Sequence, residues 1–209
     1  MSNEIASPET AFGYLSVLES EEHGYFGGYL IVSRLGRPLE FHCTAPIRPN
    51  RAQRILYGPT LEPYLLGEQI ASALLDAAKL MPRLILTDRD ATLHARLRSS
   101  VPLVLFHSVE DCSPGAAPDA SYRKDALVAS TAVGGQTSAG GVSRRTLILN
   151  DHRFELPPGF ESDYDAVAQL LGELSQHVEL AEPFLRIEEA IREAQRLGGR
   201  EADTHDQAA

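Results

Sequence analysis

Hydrophobic residues near the start of the chain are grouped in three consecutive segments, of which the third alternates strictly with polar residues. Segments 11–18, 25–33 and 38–44 are rich in aromatic and β-branched residues and are joined by short polar turns, a pattern typical of antiparallel strands. The third segment alternates three apolar with three polar residues, namely Leu39, Phe41 and Cys43 with Glu40, His42 and Thr44. We therefore predict a strand with one apolar and one polar face, and Cys43 as a buried, inert thiol.

The pattern becomes helical in the segment 61–77. Apolar residues recur along one side of it, and a proline lies in its first turn, where a helix tolerates proline. Two short apolar runs follow at 83–87 and 101–106, with one or two helical turns between them at 92–98. Short, fully apolar runs of this kind are typical of buried parallel strands.

Residues 113–143 lack any apolar periodicity. Of these 31 residues, 21 are Ser, Thr, Gly, Ala or Pro, a composition that predicts a linker or a mobile loop. Apolar periodicity resumes in a hairpin at 146–156 and in two helices that begin near Ser162 and Pro183. The last helix is expected to end at Gly198, before a disordered acidic tail.

Together these patterns predict an α/β fold. Its mixed sheet combines the N-terminal antiparallel meander with two parallel strands and flanking helices, and is followed by a linker and a C-terminal hairpin with two helices. The predicted units are an α/β core at 11–112, the linker or loop at 113–143, a hairpin with two helices at 144–198 that can complete the core, and the tail at 199–209.

The charge of the chain is −10, and residues 151–209 carry most of it, with 14 acids against 5 arginines. This acidic balance makes nucleic acid an unlikely partner, because nucleic-acid binding depends on neutralising phosphates. A local basic cluster nevertheless lies within residues 34–54: Arg34, Arg37, Arg48, Arg51 and Arg54. It is either a solvated or internally paired face or a site for a small anionic ligand.

Two cysteines are too few for a disulfide framework, and the chain lacks both a signal peptide and an apolar run of membrane-spanning length. These features predict a cytoplasmic protein with no membrane partner. Spaced metal motifs and phosphate-binding glycine loops are also absent from the sequence, and no cofactor is predicted.

The sharpest local motif follows the apolar run at 84–86 and reads Thr87-Asp88-Arg89-Asp90-Ala91-Thr92. It resembles the first motif of the haloacid-dehalogenase-like phosphohydrolases. That resemblance implies that Asp88 is a nucleophile, that Asp90 is an acid/base and that magnesium binds between them. Only 15 residues separate Asp90 from Leu105 in the next strand, which is too short for the loop and flap of that family.

The order of a meander, helix, strand, helix and strand is similar to the ribonuclease-H-like fold. Nucleases of that fold hold two metal ions with carboxylates on the first strand, the first long helix and the end of the fourth strand. The resemblance places Asp88 at the strand end and Glu62 or Glu68 on the helix. The first strand has no central carboxylate, which favours a metal-free relative.

Two groups of polar residues are candidate sites. Four residues lie at or after the predicted parallel strands, where ligands of α/β proteins bind: Asp88, Asp90, His94 and His107. Asp88, Asp90 and His107 are the candidate catalytic residues, and Asp88, Asp90 and His94 the candidate metal ligands. The polar face of the third strand and the residues after it predict a ligand-binding cleft formed by Glu40, His42, Arg48, Asn50 and Arg51, or else an exposed sheet face.

Three functions are compatible with the sequence. The primary prediction is a non-catalytic binding or adaptor module, because strong catalytic motifs are absent. The alternatives are a magnesium-dependent phosphoester or nucleic-acid hydrolase centred on Asp88 and Asp90, and a structural subunit of a homo-oligomer. The helices at 161–197 are the expected surface for a protein partner or a second copy, although the stripe of Phe184, Ile187, Ile191 and Ala194 packs by default within its own chain.

Overall fold

The computed structural model describes residues 10–108 and 144–206, with side chains up to Arg196. The predicted linker or loop at 113–143 lies outside the described residues. The strands are β1 (Ala11–Ser20), β2 (Gly24–Ser33), β3 (Pro38–Cys43), β4 (Leu84–Thr87), β5 (Leu103–His107), β6 (Thr146–Leu149) and β7 (His152–Glu155). The α-helices are α1 (Arg51–Tyr57), α2 (Ser72–Ala77), α3 (Tyr164–Ser175) and α4 (Glu182–Asp206).

The seven strands form one mixed sheet with the order β3-β2-β1-β4-β5-β7-β6. β1, β2 and β3 are the predicted antiparallel meander, and β4 and β5 continue the sheet parallel to β1. The predicted α/β class and the ribonuclease-H-like order of the first five strands are therefore confirmed. The C-terminal hairpin extends the same sheet, because β7 pairs antiparallel with β5.

Helices cover both faces of the sheet. A π-helical segment, Pro63–Ala71, and α2 cover one face, which we call the α2 face. α3 and α4 cover the other, the α4 face. The helix that the sequence predicts over 61–77 forms without a break, with π-helical geometry over Pro63–Ala71 and α-helical geometry in α2.

α4 packs within its own chain. Ile187 and Ile191 are buried against β2, whereas Ala194 at the end of the predicted stripe is exposed. The stripe is thus used for the core and not for a second subunit. The prediction that this helix ends at Gly198 is wrong: its backbone continues to Asp206, since glycine inside a helix costs only about 1 kcal/mol relative to alanine.

β3 faces the opposite way from the prediction. Cys43 and Phe41 are exposed, so Cys43 is not a buried thiol. The polar face is the one that packs, because the Glu40 carboxylate accepts the backbone N–H groups of Lys79 and Leu80 just after α2. β3 is an edge strand, and α4 does not extend over its apolar side.

No helix in the described part of the chain is long and apolar enough to span a membrane.

Candidate active site

A carboxylate and a hydroxyl meet where β4 ends beside β1. Asp88 directly follows β4, and the parallel pairing of Leu15 with Thr87 brings it next to Ser16. The buried Ser16 hydroxyl donates a hydrogen bond of 2.8 Å to Oδ2 of Asp88. This junction lies at the carboxyl end of the parallel strands, where α/β proteins bind their ligands.

The surroundings of Asp88 change its acidity. Asp88 is exposed to solvent, but desolvation of its carboxylate by the surrounding protein raises the pKa of Asp88 to about 6. The Ser16 hydrogen bond and the charge of Arg89 lower the pKa and offset part of this effect, while the charge of Glu188 on α4 raises it further. The result is a carboxylate that exchanges its proton near neutral pH.

The side chain of Arg89 closes the turn after β4. Its Nε donates to the backbone oxygen of Val17 on β1 at 2.9 Å. Beneath it, the buried hydroxyls of Thr87 and Thr92 lie 2.6 Å apart, and the Thr92 hydroxyl donates to the backbone oxygen of Arg89. These bonds fix the backbone on both sides of Asp88.

α4 crosses the sheet beside this pair. Ser16 pairs with Gly28 of β2, and a Cβ atom at Gly28 would overlap Cγ2 of Ile187 and lie 2.9 Å from Cδ1 of Ile191. The helix therefore approaches the backbone of β2 closely, and this approach brings Glu188 into the electrostatic environment of Asp88.

Asp90 and His107 belong to a different group of charges. Arg144 forms ion pairs with Asp90 and with Glu155 on β7. Glu155 also lies 2.7 Å from Nη2 of Arg153 and 3.3 Å from Nε2 of His107. These neighbours lower the pKa of Glu155 to about 2, with His107 as the largest cause.

Asp88 is separated from the other two candidate catalytic residues, Asp90 and His107, which both neighbour the Arg144–Glu155 pair. Asp88 continues the alternation of Leu84 and Leu86 and so projects toward the α4 face, whereas His107 continues that of Leu103 and Leu105, which lie on the α2 face.

His94 is also apart from Asp88. It is exposed, and its Cβ lies against Gly67 of the π-helical segment on the α2 face. The structure places Asp88 with Ser16, Asp90 with Arg144, and His94 with neither.

The predicted ligand-binding residues have separate local partners. His42 Nε2 lies 2.6 Å from the Glu40 carboxylate, whose pKa is lowered to about 2 by the Lys79 backbone N–H and by His42. Asn50 caps α1 by accepting the Gln53 N–H, and Arg48 donates to the backbone oxygen of Glu21.

A two-metal centre does not fit the residues present. In the ranges 10–108 and 144–196, no three His, Cys, Asp or Glu side chains form a group that could hold a metal ion. Glu68 lies in the π-helical segment on the α2 face, away from the side on which Asp88 projects. The set of metal ligands that the ribonuclease-H-like resemblance implies is therefore not assembled.

The sequence predictions missed Ser16 and Glu188. Ser16 shares the buried α4 face of β1 with Phe12 and Tyr14, and a hydroxyl on such a face needs a partner. This single polar residue in an apolar pattern is the sequence signal by which Ser16 could have been found. The position of Glu188 carries no comparable signal, because charged residues are usual on the outer side of a helix.

Comparisons with known proteins give matches to solved structures alone: no family model and no curated protein sequence matches the chain. Ciona intestinalis Endonuclease V, in complex with DNA containing an inosine followed by a ribo-adenosine, is 14% identical with a TM-score of 0.33, covering 48% of this chain and 46% of that one. A second such complex is 15% identical with a TM-score of 0.32 and coverages of 48% and 47%. Human ENDOV is 15% identical with a TM-score of 0.34, and its coverages are 48% and 46%.

These three structures are of Endonuclease V proteins, and two of them hold DNA. This finding corrects the prediction of a non-catalytic binding or adaptor module and the prediction that nucleic acid is an unlikely partner. The chain spans about half the length of these proteins. At these TM-scores no residue role is transferred from them, and the site is interpreted from its own geometry.

Replacing Ser16 with alanine should raise the pKa of Asp88 above about 6. The lost hydrogen bond favours the charged carboxylate, so we expect an increase of about one pKa unit. Carbon-13 NMR titration of the aspartate carboxyl signals measures this change. Ser20→Ala is the control, because the Ser20 hydroxyl accepts from the His23 N–H. An unchanged Asp88 titration in Ser16→Ala would contradict the assigned contact.

Proposed function

We propose that the chain is a phosphoester hydrolase that acts on nucleic acid, with Asp88 as its general base. The observation that carries the proposal is an accessible carboxylate at the end of a parallel strand, which is held by the Ser16 hydroxyl and whose pKa desolvation raises to about 6. A general base works best when its pKa lies near the working pH. An ordinary surface aspartate, with a pKa near 3.9, is a much weaker base.

The surroundings of Asp88 suit this role. The Ser16 hydroxyl donates to Oδ2 and does not contact the other carboxylate oxygen. That oxygen, Oδ1, can accept a proton from a water molecule as that water attacks phosphorus. The turn bonds of Arg89 and Thr92 hold the carboxylate in position while this happens.

We assign no step to magnesium, because the described residues do not form a ligand set for it. The proposal places the protein in the cytoplasm, on the basis of its two cysteines.

Asp88→Asn should lower the rate of phosphodiester cleavage by about 100-fold or more, since asparagine cannot accept the proton. The assay uses end-labelled single-stranded DNA and RNA, with and without added magnesium. Asp90→Asn is the matched control and should retain activity within a few-fold, because Asp90 pairs with Arg144. Equal cleavage by wild type and Asp88→Asn, or no cleavage by either, would reject the proposal.

The pH profile supplies a second test. Activity should rise as the pH increases through about 6 and then level off, because the base must be deprotonated. The same raised pKa affects stability in the opposite direction. The folded state retains the Asp88 proton more strongly than the unfolded chain, so ionisation of this group lowers the free energy of unfolding as the pH rises toward about 6. Asp88→Asn should therefore be at least as stable as wild type at pH 7, which separates lost activity from lost folding.

A further inference from the structure

The helix α1 lacks a buried side. None of its seven residues is buried, and Ile55 and Leu56 are 71% and 81% exposed. Surface helices ordinarily bury an apolar stripe against the core. α1 instead presents apolar side chains to solvent, next to a capped and well-defined first turn at Asn50.

The same segment is locally basic. Residues 48–60 contain Arg48, Arg51 and Arg54 and no acidic residue. None of the three forms an ion pair with any residue that the structure describes. Arg48 alone has a fixed partner, since its guanidinium donates to the backbone oxygen of Glu21 at 3.1 Å. The guanidinium groups of Arg51 and Arg54 remain available to an anion.

An aromatic pair adjoins these arginines. The rings of Tyr57, at the end of α1, and Tyr64, in the π-helical segment, stack with centroids 4.3 Å apart and planes 20° apart. Both residues are partly exposed. A nucleobase can extend such a stack, since bases stack on aromatic side chains irrespective of sequence.

α1 lies near the carboxyl ends of β1 and β4, the end of the strands at which Asp88 lies. Arg48 contacts Glu21 in the turn that follows β1, and Asp88 follows β4, which runs parallel to β1. A hollow of about 330 Å³ separates the β1–β2 turn from the start of α1 and is lined by Tyr25, Arg48 and Arg54 together with Glu19 and Glu21. The arginines thus adjoin the carboxylates of Glu19 and Glu21 on the side of the turn, and the charge of Glu68 acts on Tyr57 at the end of α1.

We propose that α1, with Arg48, Arg51, Arg54 and the Tyr57–Tyr64 stack, is the docking surface for a single strand of nucleic acid. The strand would pass over the carboxyl ends of β1 and β4 to reach Asp88, which projects toward the α4 face, whereas Tyr64 lies on the α2 face. This inference rests on the proposed function and names its substrate class. The arginines neutralise phosphates, and the stacked rings with Ile55 and Leu56 contact bases. A duplex hides its base faces inside the helix, so a surface of this composition fits a single strand better.

The test compares two double charge reversals. Arg51→Glu with Arg54→Glu alters α1. Arg34→Glu with Arg37→Glu makes the same change in the β2–β3 turn, at the opposite end of the strands. Fluorescence anisotropy with a labelled oligonucleotide of about 16 nucleotides measures affinity over a range of salt concentrations. The α1 variant should bind about tenfold or more weakly with a salt dependence smaller by about two phosphate contacts, and the control should bind like wild type.

Tyr57 tests the stacking contribution separately. Tyr57→Leu should weaken binding about tenfold, while Tyr57→Phe, which keeps the ring, should bind like wild type. Because α1 buries none of its residues, circular dichroism should show these variants folded. Equal losses in the two charge-reversal variants would overturn the inference, and so would tighter binding to duplex DNA or to phosphatidylserine vesicles than to the single strand.

Asp88→Asn distinguishes this inference from the proposed hydrolase activity. It should bind the oligonucleotide like wild type while failing to cleave it. Cleavage that depends on Asp88, combined with binding that is insensitive to α1, would reject the docking surface alone. Binding that depends on α1, without any cleavage, would reject the hydrolase and leave the docking surface supported.

Discussion

Ile187→Asp should leave the protein largely unfolded at room temperature. Ile187 is fully buried where α4 packs on β2. Removing such a side chain costs about 2–5 kcal/mol, and a buried, unpaired carboxylate adds several more. The whole free energy of unfolding of a domain is about 5–15 kcal/mol. Urea denaturation followed by circular dichroism measures the loss.

Leu185→Asp is the matched control on the same helix. Leu185 is 58% exposed, so the same substitution two positions away should change the free energy of unfolding by about 0.5 kcal/mol or less. A folded Ile187→Asp protein of wild-type stability would show that α4 does not pack as described.

Gly28→Ala should destabilise the protein by about 1–3 kcal/mol, although it adds one methyl group. The added Cβ overlaps the side chain of Ile187 and approaches Ile191, so α4 must move or the rotamers must change. Ile187→Ala removes the overlapping atom at the cost of a cavity. The double variant should therefore lose less stability than the sum of the two single variants, because the new methyl group occupies part of that cavity.

Gly172→Ala is the control for the glycine substitution itself. A Cβ at Gly172 in α3 meets no atom within 4 Å, and alanine favours a helix by about 1 kcal/mol. This variant should be as stable as wild type or more so. Strict additivity of Gly28→Ala and Ile187→Ala would contradict the close approach of α4 to β2.

The strands could be predicted because their information is local. Their aromatic and β-branched residues identify β1 and β2, and the short apolar runs identify β4 and β5, since buried parallel strands require apolar residues on both faces. The local sequence does not decide which of the two faces of a strand is buried. The pattern of β3 distinguishes its two faces, but only the extent of α4 decides that Phe41 is exposed and that Glu40 packs.

The candidate site shows the same division. Asp88 could be recognised as a strand-end carboxylate, yet its partner Ser16 lies 72 positions away and is identified only by the pairing of β1 with β4. Neighbouring residues are also misleading. Asp90 is two positions from Asp88 but pairs with Arg144, which follows a long intervening segment.

The basic cluster is a further case. Its five arginines lie close in the sequence, but β3 runs from one end of the strands to the other between Arg37 and Arg48. Arg34 and Arg37 are therefore separated by a strand length from the three arginines around α1. Proximity in sequence predicts a shared surface only where no strand intervenes.

The placement of α4 over β2 has a consequence for the order of events during synthesis. The meander can form soon after it leaves the ribosome, since its three strands are joined by short turns. Its α4 face stays uncovered, however, until residues some 150 positions later emerge, as the bond between Arg186 and Gly36 illustrates. During that interval Phe12, Tyr14 and Leu30 are exposed to other nascent chains. Slow translation therefore prolongs the period in which this apolar face can associate with other nascent chains.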